Sequence, residues 1–505
     1  MLRMSTAWLW YSRGCATSGT EIRRALIPAI PAILALISAV AIILVSPALA
    51  GTVQSGYDVQ AAINAAMPGD TVVVGPGEHS SFEVNKLLMI QGQGQPIIKA
   101  AIQRPGMKIS CDGVRVSGLK IDGVAKDTGA KFNYYMENPA AAAGQRLDQP
   151  NAAVIISGNS IALQNCTIFG AQVGIWAENA DDLVLKNLTL DSCDQGASIA
   201  HCQGLRVEAC AVTNCKKSGL NLEEVRDLVV QKSRVIGTGS TGLLLKHAEG
   251  CSITGNVLSG NTFGLALWNS SLNQVRENQV DHNYYGILVT DGSNNNTIAE
   301  NVAVDNTRNE FVKGFGEGIS LQENSSHNLV IGNTAKGNFN GLEISKGCKF
   351  NAVYDNDVTD NSHGIRLNEN RNNVIFGNNF LNNQINAYEN DSLNIWNTTI
   401  GNCYSDYEGK DANGDGIGDQ SYAIAGQDSE SFDYCPLTRQ YSNASLDESA
   451  IREAVNEYAK FGPADYEIPV LRMEEGTVTI SYRKPSSPPK WADSKPLDVN
   501  TGYAR

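Results

Sequence analysis

Apolar residues in this chain fall in short alternating runs, not in stripes of helical length. From about residue 170 onward a glycine is followed by apolar-x-apolar. Examples are Gly174 (Ile175, Ala177), Gly196 (Ala197, Ile199), Gly219 (Leu220, Leu222) and Gly242 (Leu243, Leu245). The pattern continues at Gly264, Gly286, Gly318, Gly341 and Gly364, in steps of 22 or 23 residues with a single step of 32. Asparagines keep the same register, in pairs five apart: Asn256/Asn261, Asn278/Asn283, Asn301/Asn306, Asn333/Asn338, Asn356/Asn361 and Asn378/Asn383. Upstream the same slots read as Asn165/Gly170, Asn187/Ser192, Cys210/Cys215 and Ser233/Thr238.

A fixed period of this length, filled with two or three short strands, predicts an all-β parallel solenoid. Turns then stack at ~4.8 Å, and identical side chains fall above one another. Asn at a corner tolerates the left-handed backbone and can bond to the amides above and below. About twelve turns make a rod about 55–60 Å long. Both ends need covers, because an open strand edge invites pairing with another chain. Tyr57–Met67 places Val59, Ala62, Ile63 and Ala66 at helical spacing, which predicts a capping helix stopped by Pro68-Gly69. Near the other end, 446–461 is helix-like and 475–482 alternates as a strand, followed by a Pro/Ser linker at 485–489 and a tail expected to be disordered. The expected division is a leader (1–50), the solenoid (51–400), a cap (401–440) and a tail (441–505).

The first fifty residues differ from the rest. Arg23-Arg24 precedes an apolar run from Ala25 to Val45, then Ala48 and Ala50 at A-x-A spacing. This is the order of a secretory signal, and 21 apolar residues are also enough for a retained anchor at 25–45. Either way the remainder is expected outside the cytoplasm: secreted, periplasmic or on the cell surface. Of 505 residues 39 are basic and 53 acidic, a net charge of −14. Four Arg and one Glu lie in the leader, which leaves −17 on the exported part. That charge argues against nucleic acid as a partner. The membrane is touched only through the leader.

Two places carry candidate chemistry. The first is the outward positions after each glycine, where Glu223, Lys246 and Trp268 fall on three successive turns, near Trp176, Glu178 and Asn221. An aromatic platform beside a carboxylate and an ammonium suits a sugar, and a solvated charged face is the alternative. Insertions at about 124–150 and 307–317 leave the same corner and are expected to wall this trough. Ser362-His363-Gly364-Ile365-Arg366 reads as a chance echo of a polygalacturonase signature whose other parts are absent. The second place is Asp411-Ala412-Asn413-Gly414-Asp415-Gly416-Ile417-Gly418-Asp419. It offers side-chain oxygens at Asp411, Asn413, Asp415 and Asp419, with a carbonyl at Ile417, in a tight loop. Ca²⁺ takes such ligands, though position 12 is Tyr422 where an EF-hand has Glu; an ion-free turn is the alternative.

The stretch VQAAINAAMPGDTVVVGPG (59–77), the repeats and GNCYSDYEGKDANGDGIGD (401–419) resemble right-handed parallel β-helix proteins of the pectin-lyase-like type. Within these, the similarity is to the NosD-like family with its carbohydrate-binding and sugar-hydrolase relatives, over about residues 52–440. The resemblance implies an exported protein and, through the family name, a copper pathway. Six histidines at 79, 201, 247, 282, 327 and 363 read as scattered in the register and do not support copper. The resemblance also implies aromatic residues where Cys403 and Cys435 stand, and this double departure is expected to reflect one disulfide. Cys193 and Cys215, one turn apart, are a second possible bridge. The function expected is a non-catalytic exported β-helix that binds a glycan or another envelope component. The alternative is a polysaccharide lyase, hydrolase or epimerase, marked by carboxylates and Arg or Lys within reach of one another.

Overall fold

The computed structural model describes residues 51–124, 151–307, 315–426, 431–442, 448–461, 468–474 and 477–483. The leader, most of both insertions and the Pro/Ser linker lie outside the described residues. The architecture is a right-handed parallel β-helix of about 14 turns, two more than the repeats suggest. The extra turns lie before residue 124, where the repeat is irregular: Thr52, Thr71, Met89 and Arg115 are successive Cα partners, in steps of 19, 18 and 26 residues. Three parallel sheets of fifteen, fourteen and thirteen strands run the length of the solenoid. One turn contributes Val229–Gln231 to the first sheet, Arg234–Ile236 to the second and Thr241–Lys246 to the third.

Period-2 alternation buries one residue of each short strand, and the core is a stack of such residues. Leu222, Leu245, Leu267 and Val289 are successive Cα partners, all with 0 % exposure. Each contributes about 1.5–3 kcal/mol by leaving water. The repeated glycine has a steric cause. A Cβ on Gly219 would lie 2.6 Å from the carbonyl oxygen of Gly242 one turn on, and Gly264 meets Gly286 in the same way. Stacked backbones approach too closely there for any side chain.

The asparagines form ladders at the corners. Asn278 Nδ2 donates to Asn301 Oδ1 at 2.9 Å, and Asn301 Nδ2 to Asn333 Oδ1 at 3.0 Å. The backbone N–H of each rung shares the same acceptor oxygen. Asn261 through Asn361 repeat this at the next corner. A third ladder, unmarked by the pairing rule, runs Asn273, Asn296, Asn328, Asn351 and Asn373. The upstream alignment needs a correction of one residue. Asn165 and Asn187 are exposed corner residues with φ of 53° and 51°. The inward positions beside them are Cys166 and Leu188, both 1 % exposed.

At the N-terminal end a short helix, α1 (Val59–Ala65), covers the first turns with Val59, Ala62 and Ile63, and the Asp58 side chain caps it by accepting from Ala61 N–H. Near the other end, α2 (Glu448–Phe461) lies on the outer face of the first sheet. Its Ile451, Ala454 and Val455 cover Leu329, Ile331, Tyr354 and Phe376. Arg276 Nη1 holds Glu448 at 2.8 Å. A hairpin, Ile468–Glu474 with Thr477–Arg483, follows where the sequence pattern predicted one strand.

Candidate functional site

The third sheet has the longest strands, and its outward face carries the polar and aromatic residues. Glu223, Lys246 and Trp268 are successive Cα partners there, as the register predicts. Lys246 Nζ lies 2.7 Å from Glu223 Oε1, so the two charges engage each other. Trp268 is 43 % exposed, and its indole N–H donates to Asp291 at 2.7 Å. Asn221 is half-buried beside Leu244, and Glu178 is exposed. Trp176 packs on Ala152, Ile155 and Val173 as a small satellite cluster, so it is set apart from the Trp268 group.

A denser constellation sits farther along the same face, on turns that follow the second insertion. Glu317, Asn340 and His363 occupy one column, each immediately before the repeated glycine. Glu343 and Arg366 occupy the next outward column. Glu317 and Glu343 are only 6 % and 8 % exposed. Asn340 Nδ2 donates to Glu317 Oε1 at 3.0 Å. Ser320 Oγ and Gln322 Nε2 donate to Glu343 Oε2 at 3.0 and 3.2 Å, and Arg366 Nη1 lies 3.8 Å from its other oxygen. Glu317 Oε2, Asn340 Oδ1 and His363 Nδ1 are buried without a hydrogen-bond partner. Three such atoms on successive turns are uncommon, because an unmet buried polar group costs about 1–3 kcal/mol.

Burial, and secondarily the Glu343 charge, pushes the Glu317 carboxyl up to about 8. Burial also raises Glu343, opposed by Ser320, Arg366 and Gln322, which favour its anion. Both carboxyls are thus raised by burial, and the donors around Glu343 favour its anion more than the single donor to Glu317 does. His363 is pushed down by burial and by Arg366, so it is neutral. Arg366 lies over the Tyr388 ring, 6.0 Å from its centre. Sequence reasoning missed this group because it followed positions after the glycine, whereas Glu317, Asn340 and His363 precede it. The adjacency of Glu343 and Arg366 one period apart was the available signal, and the His363–Arg366 stretch set aside as an echo belongs to it.

Near the C-terminal end of the solenoid, Asp411 folds onto its own loop and accepts N–H bonds from Gly414 and Gly416 at 2.7 and 2.8 Å. Asp419 accepts from Ala412, and Asn413 donates to Asp415. Ile417 bridges to Leu437, which in turn bridges to Cys403, so the loop is tied to the last rung of the second sheet. The expected Cys403–Cys435 bond is not formed. Cys403 stands opposite Leu437, while the Cys435 carbonyl accepts from Gly401 N–H. The two cysteines are thus offset by two residues along neighbouring segments. Cys193 and Cys215 stack on consecutive turns as buried thiols and are likewise not joined.

A family profile described as periplasmic copper-binding protein (NosD) matches residues 131–314 and 307–409, more than half of the chain. The chain belongs to this family. As a NosD-family protein it is extracytoplasmic. No curated protein matches it. Among solved structures, the Dettilon tailspike protein (gp208) is similar at 13 % identity with a TM-score of 0.46, over 59 % of this chain and 62 % of the tailspike. This chain thus spans less than two thirds of that protein's length. The Azotobacter vinelandii mannuronan C-5 epimerase AlgE4 A-module is similar at 16 % identity with a TM-score of 0.36, over 68 % and 88 % of the two chains. The DFA-IIIase from Arthrobacter chlorophenolicus A6 in complex with GF2 gives 13 %, 0.41, 69 % and 89 %. Likenesses at this level bear on no activity of this chain.

The family description of this NosD-family chain names copper. Copper sites draw on His, Cys and Met. Contrary to the sequence reading, His201 and His247 share a register, two turns apart with Glu224 between them. They line an open groove of about 620 Å³ with Asp181, Gln203 and Arg226. His201 Nδ1 is engaged with Glu224 at 3.0 Å. Among the described residues no three His, Cys, Asp or Glu side chains converge where an ion can be held. The described residues do not fit a copper centre, and no step is derived through copper. No helix among them is long and apolar enough to cross a membrane.

Proposed function

We propose that this NosD-family β-helix binds a glycan or another carbohydrate-bearing envelope component along the outward face of its third sheet. The carrying observation is Trp268, which stands 43 % exposed with its ring fixed by the Asp291 hydrogen bond, next to the Lys246–Glu223 pair. A fixed, half-exposed indole is a ready platform for a sugar ring, and large aromatics dominate binding energy where they are found. Glu178, Asn221 and Trp176 extend the same face toward the N-terminal end. In this reading residues 1–50 export the chain or anchor it through 25–45. The loop with Asp411, Asn413, Asp415, Ile417 and Asp419 holds a structural Ca²⁺.

A glycan array probed with the full chain tests the reading, followed by titration of the best ligand. Trp268→Ala should weaken binding by more than ~1 kcal/mol and leave the melting temperature nearly unchanged. Loss of ~3 kcal/mol of stability in the same variant, with no ligand found on the array, would show the ring to be packing instead.

A further inference from the structure

We propose that the protein hydrolyses an uncharged glycan at the Glu317–Glu343 pair, with Glu317 giving a proton to the leaving glycosidic oxygen and Glu343 taking one from the attacking water. The proposal rests on the glycan-binding reading above and adds chemistry to it.

The geometry supports it in three ways. First, two carboxyl groups on adjacent turns and adjacent columns face the same outward surface, and acid–base cleavage of a glycosidic bond needs such a pair. Second, the hydrogen bonds give the two groups different states. Glu343 accepts from Ser320 and Gln322 and has Arg366 nearby, all of which favour its anion, whereas Glu317 receives one donor and keeps an unmet oxygen. Pairs of carboxyls pushed apart in this way mark an acid and a base. Third, the unmet atoms of Glu317, Asn340 and His363 line one column, as expected where hydroxyl groups of a ligand replace water.

Charge indicates the class of glycan. The chain carries −14, and among the described residues Arg366, the cation beside the pair, is shared between Glu343 and the Tyr388 ring instead of standing free for a polyanion. Aromatic rings flank the pair along the solenoid axis, with Phe263 stacked on Tyr285 on one side and Tyr388 beside His363 on the other. Apolar ring faces suit unsubstituted hexoses. An uncharged sugar lacks the carboxylate that acidifies the neighbouring C–H, so elimination and epimerisation are closed to it and hydrolysis remains. The step balances: the bond from the anomeric carbon to the leaving oxygen breaks as Glu317 protonates that oxygen. Water oxygen bonds to the same carbon as Glu343 removes its proton. One water is consumed, and the proton on Glu343 returns to Glu317 through solvent.

The test incubates the full chain with neutral glucans, mannans and galactans, with polyuronates as the charged comparison, and measures new reducing ends. Release from a neutral polymer is expected, and Glu317→Gln and Glu343→Gln should each reduce it about a hundredfold or more. The Glu317→Gln variant should still bind the same polymer, which separates loss of cleavage from loss of binding. The rate should fall as pH rises through the Glu317 ionisation near 8, and Glu317→Gln should remove that limb. The groups facing the pair are Tyr284 and Tyr285 from the preceding turn and Arg366, His363 and Lys346 from the following ones. Binding of a neutral glycan without release, joined to a higher melting temperature in Glu317→Gln, would overturn the catalytic inference and leave the binding reading standing. Neither binding nor release would overturn both.

Discussion

At the scale of single residues, the most consequential side chain near the C-terminal end of the solenoid is Asp433, with 0 % exposure. Its Oδ2 accepts from Asn402 N–H at 2.7 Å and from Tyr404 O–H at 3.1 Å, and its Oδ1 accepts from Cys435 N–H at 3.0 Å. It therefore gives the last rung of an asparagine ladder an acceptor. Burial outweighs these donors and raises the carboxyl to about 7. An unfolded Asp titrates near 3.8. Between those values the folded state holds a proton that the unfolded state has lost, so stability falls as pH rises from about 4 to about 7. Thermal melts across that window should show the decline, and Asp433→Asn should flatten it. A decline of equal size in the Asn variant would assign it to another group. Nothing in the spacing of the sequence distinguished Asp433 from the other acids of the C-terminal segment, because its burial depends on strands closing over it.

At the scale of elements, the asparagine ladder is the repeating unit of corner stability. Replacing Asn301 by Ala would leave Asn278 N–H, Asn278 Nδ2 and the Val275 carbonyl without their partner. At about 1–3 kcal/mol for each buried group, the variant should lose about 3 kcal/mol or more in denaturant unfolding. Asn165→Ala should lose only about 1 kcal/mol, the left-handed backbone penalty. Equal losses would mean that Asn165 does occupy an inward slot. The comparison isolates where pattern reading slipped by one residue. In the C-terminal half Asn is itself the inward residue. In the N-terminal half the inward slots hold Cys166, Leu188 and Cys210, and the residue before each, Asn165, Asn187 or Ala209, is the exposed left-handed turn residue. A one-residue shift at a corner exchanges inside for outside, and only the backbone path decides which Asn is which.

For the molecule as a whole, the solenoid must be closed at both ends, and the C-terminal closure is made by loops rather than a helix. The 411–419 loop is fastened to Leu437, and Leu437 to the final rung at Cys403. If the loop holds Ca²⁺, the ion should raise the melting temperature of the chain at millimolar concentration, and Asp415→Ala should abolish the rise. Calorimetry without Ca²⁺ heat and a melt indifferent to the ion would leave the loop as a self-bonded turn.

The sequence by itself determined the fold class, the period, the alternation that fills the core and the alignment of Glu223, Lys246 and Trp268. These all follow from one periodicity, and a 22- or 23-residue repeat of short strands has one way to bury its apolar faces. Tertiary structure alone decided three other matters. It placed Cys403 two residues out of line with Cys435, because pairing at the cap follows hydrogen bonds between irregular segments and not the repeat. It drew Glu317, Glu343, His363 and Arg366 into one patch across three successive turns that follow an insertion. And it raised the Glu317 carboxyl, because a carboxyl's charge depends on burial and on the donors around it, which no spacing in the chain specifies.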